Sequence, residues 1–149
     1  MTSVLKRWRS DEGANLVEFA LCLPLLLLVV LGIAEFGFIF QRYEVVTNAA
    51  REGARMAVLP GYTAADVQGR VSAYLTSGRV PTTVTNPVVL VENASIAVSG
   101  GRPPITARRV TVTYTYSFQF LTAVASLFGT SYTTVPLTAV SEMRAEAGS

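Results

Sequence analysis

Gly13-Ala-Asn-Leu-Val-Glu-Phe-Ala-Leu-Cys-Leu-Pro-Leu-Leu-Leu-Leu-Val-Val-Leu-Gly-Ile-Ala-Glu-Phe-Gly-Phe-Ile-Phe40 is the stretch whose reading decides the fold. The sixteen residues between Glu18 and Glu35 carry no charge, and Pro24 and Gly32 interrupt the run. As a helix they extend about 24 Å, slightly short of a hydrocarbon core of about 30 Å. Extending the segment to Phe19–Phe40 gives about 33 Å, at the cost of placing Glu35 inside it. The alternative is a core helix of a water-soluble domain. A chain of 149 residues is too small to wrap a helix that is greasy on every side. The stretch therefore predicts a helical membrane span.

Upstream, Met1–Gly13 is polar and contains Lys6, Arg7 and Arg9. Basic residues before an apolar run point to a cytoplasmic N-terminus. Arg42, Arg51 and Arg55 follow the run, so the count on the two sides ties. Trp8 suits the headgroup level. The same layout fits a secretory signal peptide, but the apolar region is longer than usual and no clean small-x-small site precedes Glu35.

Composition narrows the chemistry. The net charge is +2, too small to argue for nucleic acid. The sequence has no histidine, and its one cysteine, Cys22, lies in the apolar run. Intramolecular disulfides, Cys/His zinc sites and histidine-dependent triads are excluded. No phosphate-binding glycine loop, EF-hand or repeat occurs. The tail carboxylates Asp66, Glu92, Glu142 and Glu146 are scattered. The expectation is a protein that is not an enzyme and needs no cofactor or metal.

Glu18 is the anomaly. A carboxylate in a membrane segment is costly and by default a functional candidate whose partner must be named. The bland alternative is that Glu18 snorkels at the interface. Gly13 followed by four residues and then Glu18-Phe19 is similar to a type IV prepilin processing site. Four blocks in order, Gly13–Ala20, Leu23-Pro24-Leu25, Gly32–Gly37 and Asn48–Arg55, resemble the TadE-like family. Those are pseudopilins, minor pilin-like proteins of the tight-adherence (Flp) type IV pilus system. The resemblance implies cleavage between Gly13 and Ala14 by a membrane-embedded prepilin peptidase, with N-methylation of Ala14 as an option. A cut there gives Ala14 a free ammonium four residues from Glu18. The two charges then lie near each other within one helix, or pair between staggered helices, and the carboxylate suits the helix N-terminus. The resemblance also implies partners: the membrane, the peptidase, the major Flp pilin, a second minor pseudopilin and the pilus assembly platform.

Pro24 predicts a kink, because it removes one backbone hydrogen bond. The helix is expected to continue to about Val58, since Pro60-Gly61 stops it. Ala49, Gly53 and Ala57 recur every four residues, as do Ala50 and Ala54, and small residues let another element approach closely. That stripe packs either on the protein's own β-domain, the favoured reading, or on another subunit.

Thr63-Ala-Ala-Asp66 has the spacing of a capping box. It predicts a second helix from Ala64 to Ser77, ended by Gly78 as the cap. Val88–Val91 and Ser95–Ser99 are candidate strands. From Val110 to Phe120 apolar and aromatic residues alternate with Thr, Ser and Gln, the period of a half-buried strand. Ala123–Phe128 predicts one helical turn ending at Gly129. Tyr132–Arg144 predicts a last strand whose Pro136 belongs at an edge.

The predicted fold class is α+β: a long transmembrane pilin-like helix followed by a small antiparallel sheet of about three or four strands. The expected domains are a basic leader (1–13), the membrane and extended helix (14–58), and an extracytoplasmic α+β module (59–149). The expected protein sits in the bacterial inner membrane, N-terminus inside and C-terminal domain outside, with a place in the pilus open to it. Two rivals stand beside the pilin-like subunit. One is a single-pass assembly factor that is never cleaved. The other is an anchored adhesive module displaying Tyr114, Tyr116, Tyr132 and the threonine face.

Overall fold

The computed structural model describes residues 4–83, 86–100, 103–127, 129 and 134–145, with side chains from Gly13 onward apart from those of Ala123 and Leu127. The element order is α1 (Val4–Ala57), α2 (Ala64–Ser77), β1 (Val88–Ile96), β2 (Ile105–Ser117), α3 (Leu121–Leu127) and β3 (Thr134–Arg144). The chain is α+β, a long apolar helix followed by a three-stranded antiparallel sheet of order β1-β2-β3. It divides into two compact units. One holds α1 as far as Gly37 and the stretch from Gln119; the other holds α1 from Phe38, α2 and the sheet.

In the second unit the core is built on small residues. Val46, Ala49, Ala50, Ala54 and Ala57 of α1 are buried at helical spacing, together with Val67, Val71 and Leu75 of α2. Val110, Val112, Tyr114 and Tyr116 of β2 and Leu137 and Ala139 of β3 complete it. Tyr114 and Tyr116 are thus core residues, not displayed ones, and burial pushes the Tyr114 phenol up. Tyr132 lies outside the described residues.

Helix α2 starts at a complete capping box. The Thr63 hydroxyl accepts from the Asp66 N–H at 3.3 Å, and Asp66 Oδ2 accepts from the Thr63 N–H at 2.8 Å. The Thr63 hydroxyl, donating to Asp66 Oδ2 at 2.7 Å, and then the Thr63 N–H hold the Asp66 carboxyl below its ordinary range. The other end departs from expectation. Gly78 has φ −77°, and the left-handed residue is Arg79 at φ 57°. Arg79 N–H donates to Thr76 O and Val80 N–H to Leu75 O, the paired bonds of a Schellman turn. Gly78 is needed for space instead: a Cβ there would lie 2.5 Å from Val45 Cγ1. Arg42 Nη1 donates to the Arg79 carbonyl.

The sheet corrects three boundaries. Val88–Val91 is not a strand separate from Ser95: β1 runs unbroken to Ile96, with Glu92, Asn93 and Ala94 opposite Arg109, Arg108 and Ala107. Backbone pairing carries those polar residues, which side-chain alternation could not reveal. For the same reason β2 begins at Ile105 instead of Val110. It ends at Ser117, before Phe118 and Phe120. Before β1, the Asn86 side chain extends the ladder, accepting from Thr115 N–H at 2.9 Å and donating to Thr115 O at 3.0 Å. Pro136 lies on β3, an edge strand, where its missing N–H is tolerated.

Candidate functional site

The candidate site is the first part of α1. Gly13, Ala14, Glu18 and Phe19 are all exposed, and Phe19 shows 61% of its surface. Ala14 and Glu18 are one helical turn apart, about 6 Å along the axis, on one face. Beyond them Leu16, Leu21, Leu25 and Ile33 are each at least 66% exposed, and they point in different directions around the axis. Apolar surface of that extent is unfavourable in water by about 25 cal/mol per Å2 and calls for lipid or partner helices. Among the described residues, α1 from Gly13 is the one helix long and apolar enough to cross a membrane.

Helix α1 passes through Pro24 without a break. Pro24 has no N–H, so the carbonyl of Ala20 loses its usual intrahelical donor. Beside it lies a shallow open groove of about 330 Å3, lined by Phe19, Cys22, Leu23, Leu25, Leu26 and Val29. It offers carbon and one sulfur, and no charge. Among the described residues no cluster of Asp, Glu, Cys or His could hold a metal ion.

The small-residue stripe is occupied by the protein's own second unit. Ala49 is fully buried and Ala57 nearly so. A Cβ at Gly53 would stand 2.7 Å from Val71 Cγ2 and 3.2 Å from Val110 Cγ1, so α2 and β2 both close on the α1 backbone there. Next to Gly53 in the chain, Glu52 accepts from Arg70 Nη2 at 2.7 Å and Nε at 3.2 Å, joining α1 to α2. The Arg70 hydrogen bond holds the Glu52 carboxyl below its ordinary range, with the Arg70 and Arg55 charges acting the same way against partial burial.

Sequence reasoning missed one residue of this region. Glu35 is fully buried. Its Oε1 accepts from Gln119 N–H at 2.9 Å, and its Oε2 from Phe120 N–H at 2.7 Å and Leu121 N–H at 3.3 Å. These are the amides at the start of α3, which lack partners within that helix. A signal was present: Phe120 stands before α3 where Ser, Thr, Asp or Asn would cap, so an outside acceptor was required.

The sequence of this helix can be set against known proteins. The family model described as TadE-like protein matches residues 13–55. No curated protein and no solved structure matches the chain. The matched segment begins at Gly13, contains Glu18, Pro24 and Glu35, and ends two residues beyond Gly53. From Gly13 to Arg55, then, the chain is similar to the TadE-like family, and that segment lies on one unbroken helix.

Proposed function

We propose that this chain is a pilin-like minor subunit of a Flp, or tight-adherence, type IV pilus, anchored in the bacterial inner membrane by α1. The observation that carries the reading is the TadE-like match over residues 13–55, lying on a helix whose apolar stretch from Phe19 to Val30 is exposed almost all round. In this reading the leader stays in the cytoplasm and the C-terminal module lies outside. Prepilin peptidase cuts between Gly13 and Ala14, where glycine leaves the backbone open to the enzyme. The new ammonium of Ala14 pairs with Glu18, in the same helix or in a neighbour. Phe19 and the groove beside Pro24 then meet other pilin-like helices, which keeps this apolar surface out of water when the subunit leaves the bilayer. The subunit primes the pilus or caps its tip, working with the major Flp pilin, a second minor pseudopilin and the assembly platform.

The test is the intact mass of the protein extracted from the membranes of its native host. A species beginning at Ala14, with or without one added methyl group, is the expected result. A full-length species would leave an anchored assembly factor that is never processed. A species starting after Ala34 would identify an ordinary signal peptide and overturn the anchored reading.

A further inference from the structure

The Glu35 carboxylate fixes the depth of a second segment. Its neighbours Ile33 and Phe36 are 69% and 70% exposed, while Glu35 itself is fully buried. One turn of α1 therefore presents hydrocarbon outward on one side and a carboxylate to the start of α3 on the other. The amides of Gln119, Phe120 and Leu121 lie within 3.3 Å of that carboxylate. They stand at the same height along α1 as Ile33 and Phe36. A span that begins at Phe19 must include that height to cross the hydrocarbon, since the sixteen residues between Glu18 and Glu35 give only about 24 Å.

The segment is suited to that position. No Asp, Glu, Lys or Arg occurs between Arg109 and Glu142. Phe120 is 38% exposed, and Leu121 and Val124 are half-buried. Backbone at membrane depth needs its polar groups satisfied within the protein. Glu35 supplies the acceptor for three of them, and they supply the donors that its charge requires. If the hydrocarbon ends at Phe40, Glu35 lies about 7.5 Å inside it, a depth that helices lying in the interface reach.

We propose that Gln119–Leu127 is a second membrane-contacting element. Helix α3 lies at the boundary between the acyl chains and headgroups of a phospholipid bilayer, latched to the spanning helix by Glu35. The proposal rests on the reading of α1 as a membrane span. It gives the protein one crossing and one dipping segment, and makes Glu35 a structural acceptor inside the lipid-facing region.

The test uses the full chain in phosphatidylcholine liposomes whose acyl chains carry bromine, a contact quencher of tryptophan. In a Trp8→Phe background, three single replacements are compared: Phe120→Trp in the segment, Phe36→Trp on the span, and Tyr62→Trp in the loop before α2. Phe36→Trp and Phe120→Trp are both expected to be quenched several-fold more than Tyr62→Trp. Quenching of Phe36→Trp with none of Phe120→Trp would overturn the inference and leave the span intact. Quenching of neither would overturn both. Gln119→Trp gives the same readout should Phe120→Trp fail to fold. Adding Glu35→Ala to Phe120→Trp is expected to abolish the quenching; its retention would overturn the latch.

Discussion

Gly53 and Gly69 are both helical glycines, and their surroundings give them opposite predicted behaviour. Alanine is worth about 1 kcal/mol over glycine inside a helix. At Gly69 nothing lies within 4 Å of an added Cβ, so Gly69→Ala should stabilise the second unit by about 0.5–1 kcal/mol. At Gly53 the Cβ meets Val71 and Val110, both stiff β-branched side chains held in the core. Overpacking of that kind costs about 1–3 kcal/mol and outweighs the propensity gain. Gly53→Ala should therefore lower the midpoint of denaturant unfolding of the detergent-solubilised chain, and Gly69→Ala should raise it. Spacing alone marked Gly53 as a place of close approach, but it did not say which elements approach. Glu18 stood out in the sequence because it opens an uncharged run. Glu35 did not, because its partners are backbone amides more than eighty positions away, and the trace they leave in the side-chain pattern is only the missing capping residue at Phe120.

Between elements, two carboxylates act as clasps. Glu52 on α1 binds Arg70 on α2, with side chains 26% and 52% exposed. Solvent screens a pair so open, which limits it to roughly 0.2–1 kcal/mol. Its sign with pH is definite. The Glu52 carboxyl is depressed in the folded chain below its ordinary value of 4.5, so the stabilisation is present above that value. It is lost as the pH falls through the folded value. Unfolding of the parent and of Arg70→Gln should therefore differ at neutral pH and converge in acid. A gap unchanged by acid would show that Arg70 contributes by packing alone. The second clasp is Glu35 of α1, which grips the start of α3. Glu35→Ala removes a charged acceptor worth about 1.5–3 kcal/mol, so hydrogen exchange at Phe120 and Leu121 should quicken by about one to two orders of magnitude. At this scale helices were the most legible elements, since Thr63 and Asp66 stated the start of α2 outright. Strand ends were less so: the tie between Glu92-Asn93-Ala94 and β2 is made by main chain, and the end of β2 precedes the Glu35 contacts.

For the whole molecule, the helix-then-sheet order was legible because the apolar run and the Thr/Tyr alternation are both strong periodic signals. The proposed assembly role rests on charge. Cleavage after Gly13 would remove Lys6, Arg7, Arg9, Asp11 and Glu12, leaving nine basic and eight acidic side chains on the mature subunit. With the leader gone, the first charges on α1 would be the Ala14 ammonium and Glu18, at the edge of an apolar surface. Opposite charges in such surroundings attract across several ångströms far more strongly than in water, which would make the pair a register mark between staggered helices. Two replacements separate processing from assembly. Gly13→Leu places a side chain where the proposed peptidase would approach the backbone, and should yield the full-length mass. Glu18→Ala leaves the cut site open and should yield a chain beginning at Ala14, yet cells carrying it should make few pili. Normal pilus number in Glu18→Ala cells would remove Glu18 from the assembly step and leave it as a residue snorkelling at the membrane surface. Complete processing of Gly13→Leu would show that the peptidase tolerates bulk at the cut, and that glycine there reflects helix packing instead.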